Sequence, residues 1–284
     1  MWIFFSFFNA FFESLKDVFS KLTLQRADEY TVAGGYNIIA GILLLVTAIV
    51  FGLPRLTQGF WTALFVSGSI NVIAVVLYMK ALRIADLSLT VPLLAFTPVF
   101  LLITSPLLIH ESPAPLGFVG VVCVVVGSYI LNVRAYKEGI LAPLRTLARN
   151  KGSRMIFAVA LLWSISSNID KVGIQHSSPI MWAGALHLFI GAAFVPYLLS
   201  RIRRGNVWIL RKSLFAIGFI KAISTGLQMV AMSMTLVPYA ISVKRMSAIM
   251  GVLWGSYFFK EKGIRERLLG AVIMVVGVIL IAFA

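Results

Sequence analysis

The chain has 284 residues, 60% of them hydrophobic and 12% charged, with a formal net charge of +15. Its apolar runs are as long as a bilayer is thick, which takes about 20 residues, and this excludes a water-soluble globule. The single cysteine, Cys123, excludes a disulfide framework, and the basic residues sit in short stretches between apolar runs, as topology signals do, which excludes a nucleic-acid partner.

Ten membrane helices are predicted, over 2–22, 31–53, 60–82, 86–109, 114–133, 155–172, 180–200, 213–235, 238–259 and 264–283. The first lacks a positive leader and a small-residue cleavage site, so it reads as a membrane helix and not as a signal peptide. It carries Glu13, Asp17 and Lys21 at successive four-residue steps, with Lys16 beside them. Such steps share one helix face, and Glu13 lies about 16 Å along the axis from Trp2 at ~1.5 Å per residue, near the midplane. A carboxylate there is either a coupling or substrate-binding group or a buried ion-pair partner of Lys16, Lys221 or Lys244.

The fourth helix contains Pro92, Pro98 and Pro106 and ends at Glu111; the ninth contains Gly251 and Gly255 and ends at Glu261. Proline and glycine weaken a helix, so these two are candidates for moving, gating elements, with close packing as the other reading. Glu111 and Glu261 read as caps or gate ion pairs at the membrane boundary. Residues 135–153 form a basic linker with the pattern of an interfacial helix. His187 in the seventh helix reads as a hydrogen-bonded interior histidine or a proton relay. Lys221 in the eighth and Lys244–Arg245 in the ninth are deep cations. Arginine clamps a phosphate or carboxylate with two hydrogen bonds and lysine adds a point charge. Trp2, Trp61, Trp182 and Trp208 lie near helix ends, as interfacial anchors do.

The halves 1–134 and 154–284 repeat with a shift of 150 residues. Ser14, Lys21, Gly34, Gly41, Gly68, Glu111, Gly120 and Gly127 recur as Ser164, Lys171, Gly184, Gly191, Gly218, Glu261, Gly270 and Gly277. An odd number of crossings per copy inverts the second copy, an arrangement used by secondary transporters that alternate access around a central site. Nineteen basic residues fall in the loops after odd-numbered helices, against Arg55 and Lys171 on the other side. The basic side is therefore predicted to be cytoplasmic, with both termini outside.

These residues carry a resemblance. The turn, the glutamate-ended helix and the glycine-spaced helix of Tyr78–Leu131, again at Gln228–Ile281, with Trp163 to Lys171 at the start of the second half, resemble the EamA domain of the drug/metabolite transporter superfamily. The first half departs from that pattern at Glu13, where tryptophan is expected. Val243-Lys244-Arg245 is similar to a triplet of triose-phosphate/phosphate translocators, which implies that Lys244 and Arg245 hold substrate phosphate. The expected fold is thus an all-α membrane protein, ten helices in two inverted EamA repeats, in a bacterial or archaeal cell membrane.

Four deep cations, Lys16, Lys221, Lys244 and Arg245, face two deep acids, Glu13 and Asp17, and the surplus favours an anionic substrate. The expected function is secondary transport of a small organic anion, phosphorylated or not. The alternatives are a proton-coupled amino-acid or drug exporter and a lipid-phosphate flippase. Substrate-binding candidates are Lys244, Arg245, Lys221, Glu13, Asp17 and His187, with Pro92, Pro98, Gly251, Gly255, Glu111 and Glu261 as gating candidates. The expected partners are a small molecule and the bilayer, with proton or counter-anion coupling. The sequence has no P-loop and no Cys/His metal spacing, so neither a cofactor nor an enzyme activity is expected.

Overall fold

The 150-residue repeat governs how the helices pair. In the computed structural model, which describes residues 1–84, 93–133, 150–202, 210–259 and 264–284, eleven helices are formed. They are α1 (Trp2–Leu24), α2 (Glu29–Phe51), α3 (Gln58–Ile84), α4 (Phe96–Ile109), α5 (Pro115–Val133), α6 (Lys151–Gln175), α7 (Pro179–Ile202), α8 (Arg211–Met234), α9 (Val237–Lys244), α10 (Ser247–Phe259) and α11 (Ile264–Ala282). The main packing partners are α2 with α7, α5 with α11, α3 with α6 and α1 with α8, each pair taken from opposite copies. Exchanging the copies maps this set onto itself, so the halves interlock around a pseudo-twofold relation.

Glycines permit the two self-paired seams. A methyl group added to Gly120 would meet the Gly277 carbonyl oxygen at 2.7 Å, and one added to Gly277 would meet the Gly120 carbonyl oxygen at 2.7 Å. Gly127 and Gly270 repeat the relation one step along α5 and α11, so these backbones touch directly. Membrane helices associate through such small-residue contacts because lipid tails compete equally for larger apolar side chains. The outer surface is correspondingly apolar: Phe4, Val50, Phe51, Phe65, Leu107, Phe215 and Val272 are all exposed.

Five helical stretches, Glu29–Phe51, Gln58–Ile84, Lys151–Gln175, Pro179–Arg201 and Arg211–Met234, are long and apolar enough to cross a membrane, and Phe96–Ile109, Pro115–Leu131 and Leu269–Ala282 are shorter apolar helices. The first predicted membrane helix forms over Trp2–Leu24 but carries too much charge to belong to the apolar five. Its phenylalanines Phe4, Phe7, Phe8 and Phe19 face outward, while Asn9, Glu13 and Lys16 are buried.

The ninth predicted helix is two helices. α9 stops at Lys244, Arg245 and Met246 form a turn with three-residue hydrogen bonds to Ser242 and Val243, and α10 restarts at Ser247. A matching turn at Ala95 precedes α4. Pro98 sits in the first turn of α4, where the missing N–H costs nothing, so it helps start that helix and does not bend it. Gly251 faces open space on the exposed side, not a packing seam or cavity wall, and Gly255 falls within α10. Pro92, Glu261, Trp208 and most of the 135–153 linker lie outside the described residues.

Candidate functional site

The polar face of α1 meets the broken helix from the other copy. Glu13, only 7% exposed, lies 2.9 Å from Lys16 Nζ, 3.3 Å from Lys221 Nζ on α8 and 3.8 Å from Lys244 Nζ at the end of α9. The Ser224 hydroxyl is 2.8 Å from its other oxygen, Oε2. A buried carboxylate is tolerated only when paired and hydrogen-bonded, and here one carboxylate serves three ammonium groups. The ion-pair reading of Glu13 is therefore met geometrically, with all three candidate partners at once.

Lys16 also bonds Asp17 at 2.7 Å, and the Tyr78 hydroxyl donates to the same carboxylate at 2.9 Å. Asp17 is more exposed than Glu13 and lies outside the central cluster. Lys244 donates to Gln228 Oε1 at 2.6 Å. The lysines are thus satisfied by protein groups. Arg245 is different. Its Nε is buried without a hydrogen-bond partner among the described residues, and the side chain lines a central cavity.

The cavity wall is mixed. Glu13, Lys16, Lys221, Lys244 and Arg245 supply its charge, Trp163, Tyr36 and Tyr78 its aromatic surface, and Asn37, Asn71, Thr97 and Thr225 its neutral polar groups. His187 also lines it, held from two sides. Its Nδ1 is 2.6 Å from Asn37 Oδ1 and its Nε2 is 2.9 Å from the Thr225 hydroxyl. The Asn37 amide nitrogen donates to the Ala33 carbonyl, so its oxygen faces the ring. This assigns the proton to Nδ1 and makes Nε2 an acceptor for Thr225. Both nitrogens are engaged, and His187 joins α2, α7 and α8.

Asp170 is not among the candidates read from the sequence. In the structure it lines the cavity at 4% exposure, and its Oδ1 accepts from the Ser67 hydroxyl at 2.5 Å and the Trp182 indole N–H at 3.2 Å. Trp182 is fully buried against Phe60, so it holds Asp170 and is not an interfacial anchor. The signal that finds Asp170 is the repeat itself: its counterpart 150 residues earlier is Ser20, another place where a charge breaks the symmetry.

Lys171 turns the other way. It lies inside the helix predicted over 155–172 and is buried in α6, donating to the carbonyls of Met232 and Thr235 at 2.5 and 2.7 Å. Glu111 stands 3.4 Å away and accepts the Val237 N–H at 2.9 Å, at the start of α9. One acid and one lysine thereby tie the ends of α4, α6, α8 and α9 together. At α2 and α3 the pairs are different: Glu29 with Arg83 at 2.5 Å, and Asp28 with Arg201 of α7 at 3.4 Å. Among the described residues no group of three His, Cys, Asp or Glu side chains converges as metal ligands would.

Comparison with known proteins places this geometry. A solved structure titled only "Crystal structure of protein" superposes with a TM-score of 0.70 over 98% of this chain and 96% of its own length, at 15% sequence identity, a likeness of fold alone. No curated protein matches. The sequence pattern of the EamA-like transporter family matches residues 1–133 and again 150–283, the two halves that interlock around the cavity. The chain therefore belongs to the EamA-like transporter family, membrane transporters of the drug/metabolite superfamily.

Proposed function

We propose that the protein is a secondary transporter that carries a small organic anion, a carboxylate or a phosphate ester, through the central cavity by alternating access. The observation that carries this reading is Arg245. Its guanidinium has a buried N–H, at Nε, with no hydrogen-bond partner among the described residues, while Lys16, Lys221 and Lys244 are engaged with Glu13. A buried, unsatisfied donor costs about 1–3 kcal/mol, more for a charged group, and a carboxylate or phosphate accepting a two-pronged hydrogen bond would remove that cost. Lys244, beside it on the chain, adds a second positive charge, and Lys221 a third across Glu13.

Alternating access is supported by two features. The chain is broken at the same repeat position in both copies, which supplies hinges beside the cavity. The Glu111–Lys171 tie holds four helix ends together, and such a pair can break and re-form as the bundle rocks. Ten crossings remain the reading that best joins the five long apolar helices to the shorter ones.

The test is a thermal-shift screen of purified protein against monocarboxylates, dicarboxylates and phosphate monoesters, because a ligand stabilises the state it binds. At least one class should raise the melting temperature of the wild type and not of Arg245→Gln. An Arg245→Gln variant that folds and responds to every anion as the wild type does would overturn the site.

A further inference from the structure

The two deep carboxylates of the cavity have opposite surroundings. Glu13 is clamped by three ammonium groups, each of which favours its ionised form, and a proton there would break three ion pairs together. Asp170 has no cation within 4 Å among the described residues. Its Oδ1 takes two neutral donors, Ser67 and Trp182, its other oxygen has no hydrogen bond among the described residues, and the residue lines the cavity. A carboxylate kept from water and held only by neutral groups gains most by taking up a proton.

We propose that Asp170 is the group that binds and releases a proton in this transporter, while Glu13 stays ionised as the fixed counter-charge of the lysines. The assignment rests on the transporter reading but not on the identity of the anion. Of the charged and titratable groups lining the cavity, Lys244 is turned to Gln228 and Glu13. Lys16 and Lys221 are turned to Glu13, Asp17 lies beyond Lys16, and Arg245 stands at the helix break. His187 has both nitrogens engaged, Tyr78 is bonded to Asp17, and Tyr36 is a neutral phenol of the cavity wall. Lys171, the next residue in sequence, is directed at Glu111 and two carbonyls.

The charge balance gives this a consequence. With Asp170 ionised, Lys16, Lys221, Lys244 and Arg245 face Glu13, Asp17 and Asp170, a surplus of one positive charge. Protonating Asp170 raises the surplus to two. Proton and anion then favour each other's binding by the same factor in both directions, and a doubly charged anion is matched when the proton is bound.

The experiment is infrared difference spectroscopy of the full chain in liposomes, titrated from mildly acidic to mildly alkaline pH. The wild type should show a C=O stretching band of a protonated carboxyl that disappears as pH rises. Asp170→Asn should lose it, and Glu13→Gln should keep it. Ser67→Ala, which leaves the carboxyl in place but removes its shortest hydrogen bond, should keep the band to higher pH, and it carries the test if Asp170→Asn does not fold. A missing wild-type band, a band retained in Asp170→Asn, or one lost in Glu13→Gln overturns the assignment. Arg245→Gln separates the two readings: an anion response lost with the band intact supports both, a lost band with Arg245-dependent binding sinks the proton site alone, and an intact band with unchanged anion response sinks the anion site alone.

Discussion

The turn before α4 and the turn between α9 and α10 are the same structure with different contents. Ala95 has φ −63° and ψ −16°, and Arg245, 150 residues later, has φ −66° and ψ −11°. In the first copy the turn carries Leu94 and Ala95, both buried and apolar; in the second it carries Lys244 and Arg245. Since both copies break the helix at this point, the break belongs to the fold. Since only one copy places charge there, the charge answers to something the fold does not need. The opposing face tells the same story: Trp163 packs at 5.1 Å against Tyr78, and its counterpart is Glu13, the partner of the second copy's lysines. The charged break of one half is therefore neutralised by the first helix of the other.

The largest effect expected from breaking this arrangement is at Glu13. Glu13→Gln leaves buried Lys221 and Lys244 without their anion while Lys16 keeps Asp17, and removing one partner of a buried ion pair costs about 3–5 kcal/mol. Thermal unfolding in detergent should show a lower melting temperature, recovered in part when Lys221→Met is added; an unchanged melting temperature would mean the cluster is solvated. Next is the contrast between the two turns. Arg245→Gln should weaken binding of a responsive anion by roughly 100-fold, near the upper end of what a hydrogen bond to a charged group supplies. Ala95→Ser should change it by less than about threefold, as expected away from a binding site, and equal losses in a binding titration would remove the asymmetry.

Where the copies agree, substitutions should agree. Gly120→Ala and Gly270→Ala both place a methyl group on a backbone carbonyl of the facing helix, at 2.7 and 2.6 Å. Each should destabilise by about 1–3 kcal/mol, and a large difference between them would show that the seam is not symmetric. Gly251→Ala is the control, because nothing lies within 4 Å of the added methyl, and it should be neutral or stabilising by up to ~1 kcal/mol.

The smallest effect concerns the helix starts at Asp28 and Ser178, again 150 residues apart. Asp28 accepts the Thr31 N–H at 2.9 Å, and Ser178 Oγ accepts the Met181 N–H at 3.3 Å. Burial pushes the Asp28 carboxyl up, but the Thr31 amide and hydroxyl, Tyr197 and Arg201 outweigh it and hold it below the usual carboxylate range. A lowered folded value means the stabilisation is present above the ordinary aspartate range and is lost as pH falls through the folded value. Asp28→Ala should therefore cost roughly 1 kcal/mol near neutral pH, with the difference shrinking in acid. Ser178→Ala should show no such pH dependence in the same melting experiment.

Much of the fold was legible in the chain. Apolar run length marked the helices, and Gly120 and Gly127, which recur as Gly270 and Gly277, stand where two helices meet in the structure, because close helix approach in lipid demands small residues. The deep cations announced themselves through the cost of charge in a membrane. The failures also have causes. Gly251 read as a gating or close-packing residue of one continuous helix, but the turn at Arg245 and Met246 resets the helical phase and directs that glycine outward. Trp182 matched an interfacial anchor by position, while its indole is needed inside by Asp170.

By itself, the sequence determined the helices, the duplication and the inventory of charges, since all three depend on local hydrophobicity and on spacing along one chain. Only the tertiary structure decided which charges meet. Glu13 could pair with any of three lysines by sequence and pairs with all of them in space, because two of the three arrive from helices of the other copy. That same convergence leaves Arg245 Nε and one oxygen of Asp170, two residues of the cavity lining, without partners among the described residues. No local pattern encodes such a remainder, because it depends on every other charge having found its mate.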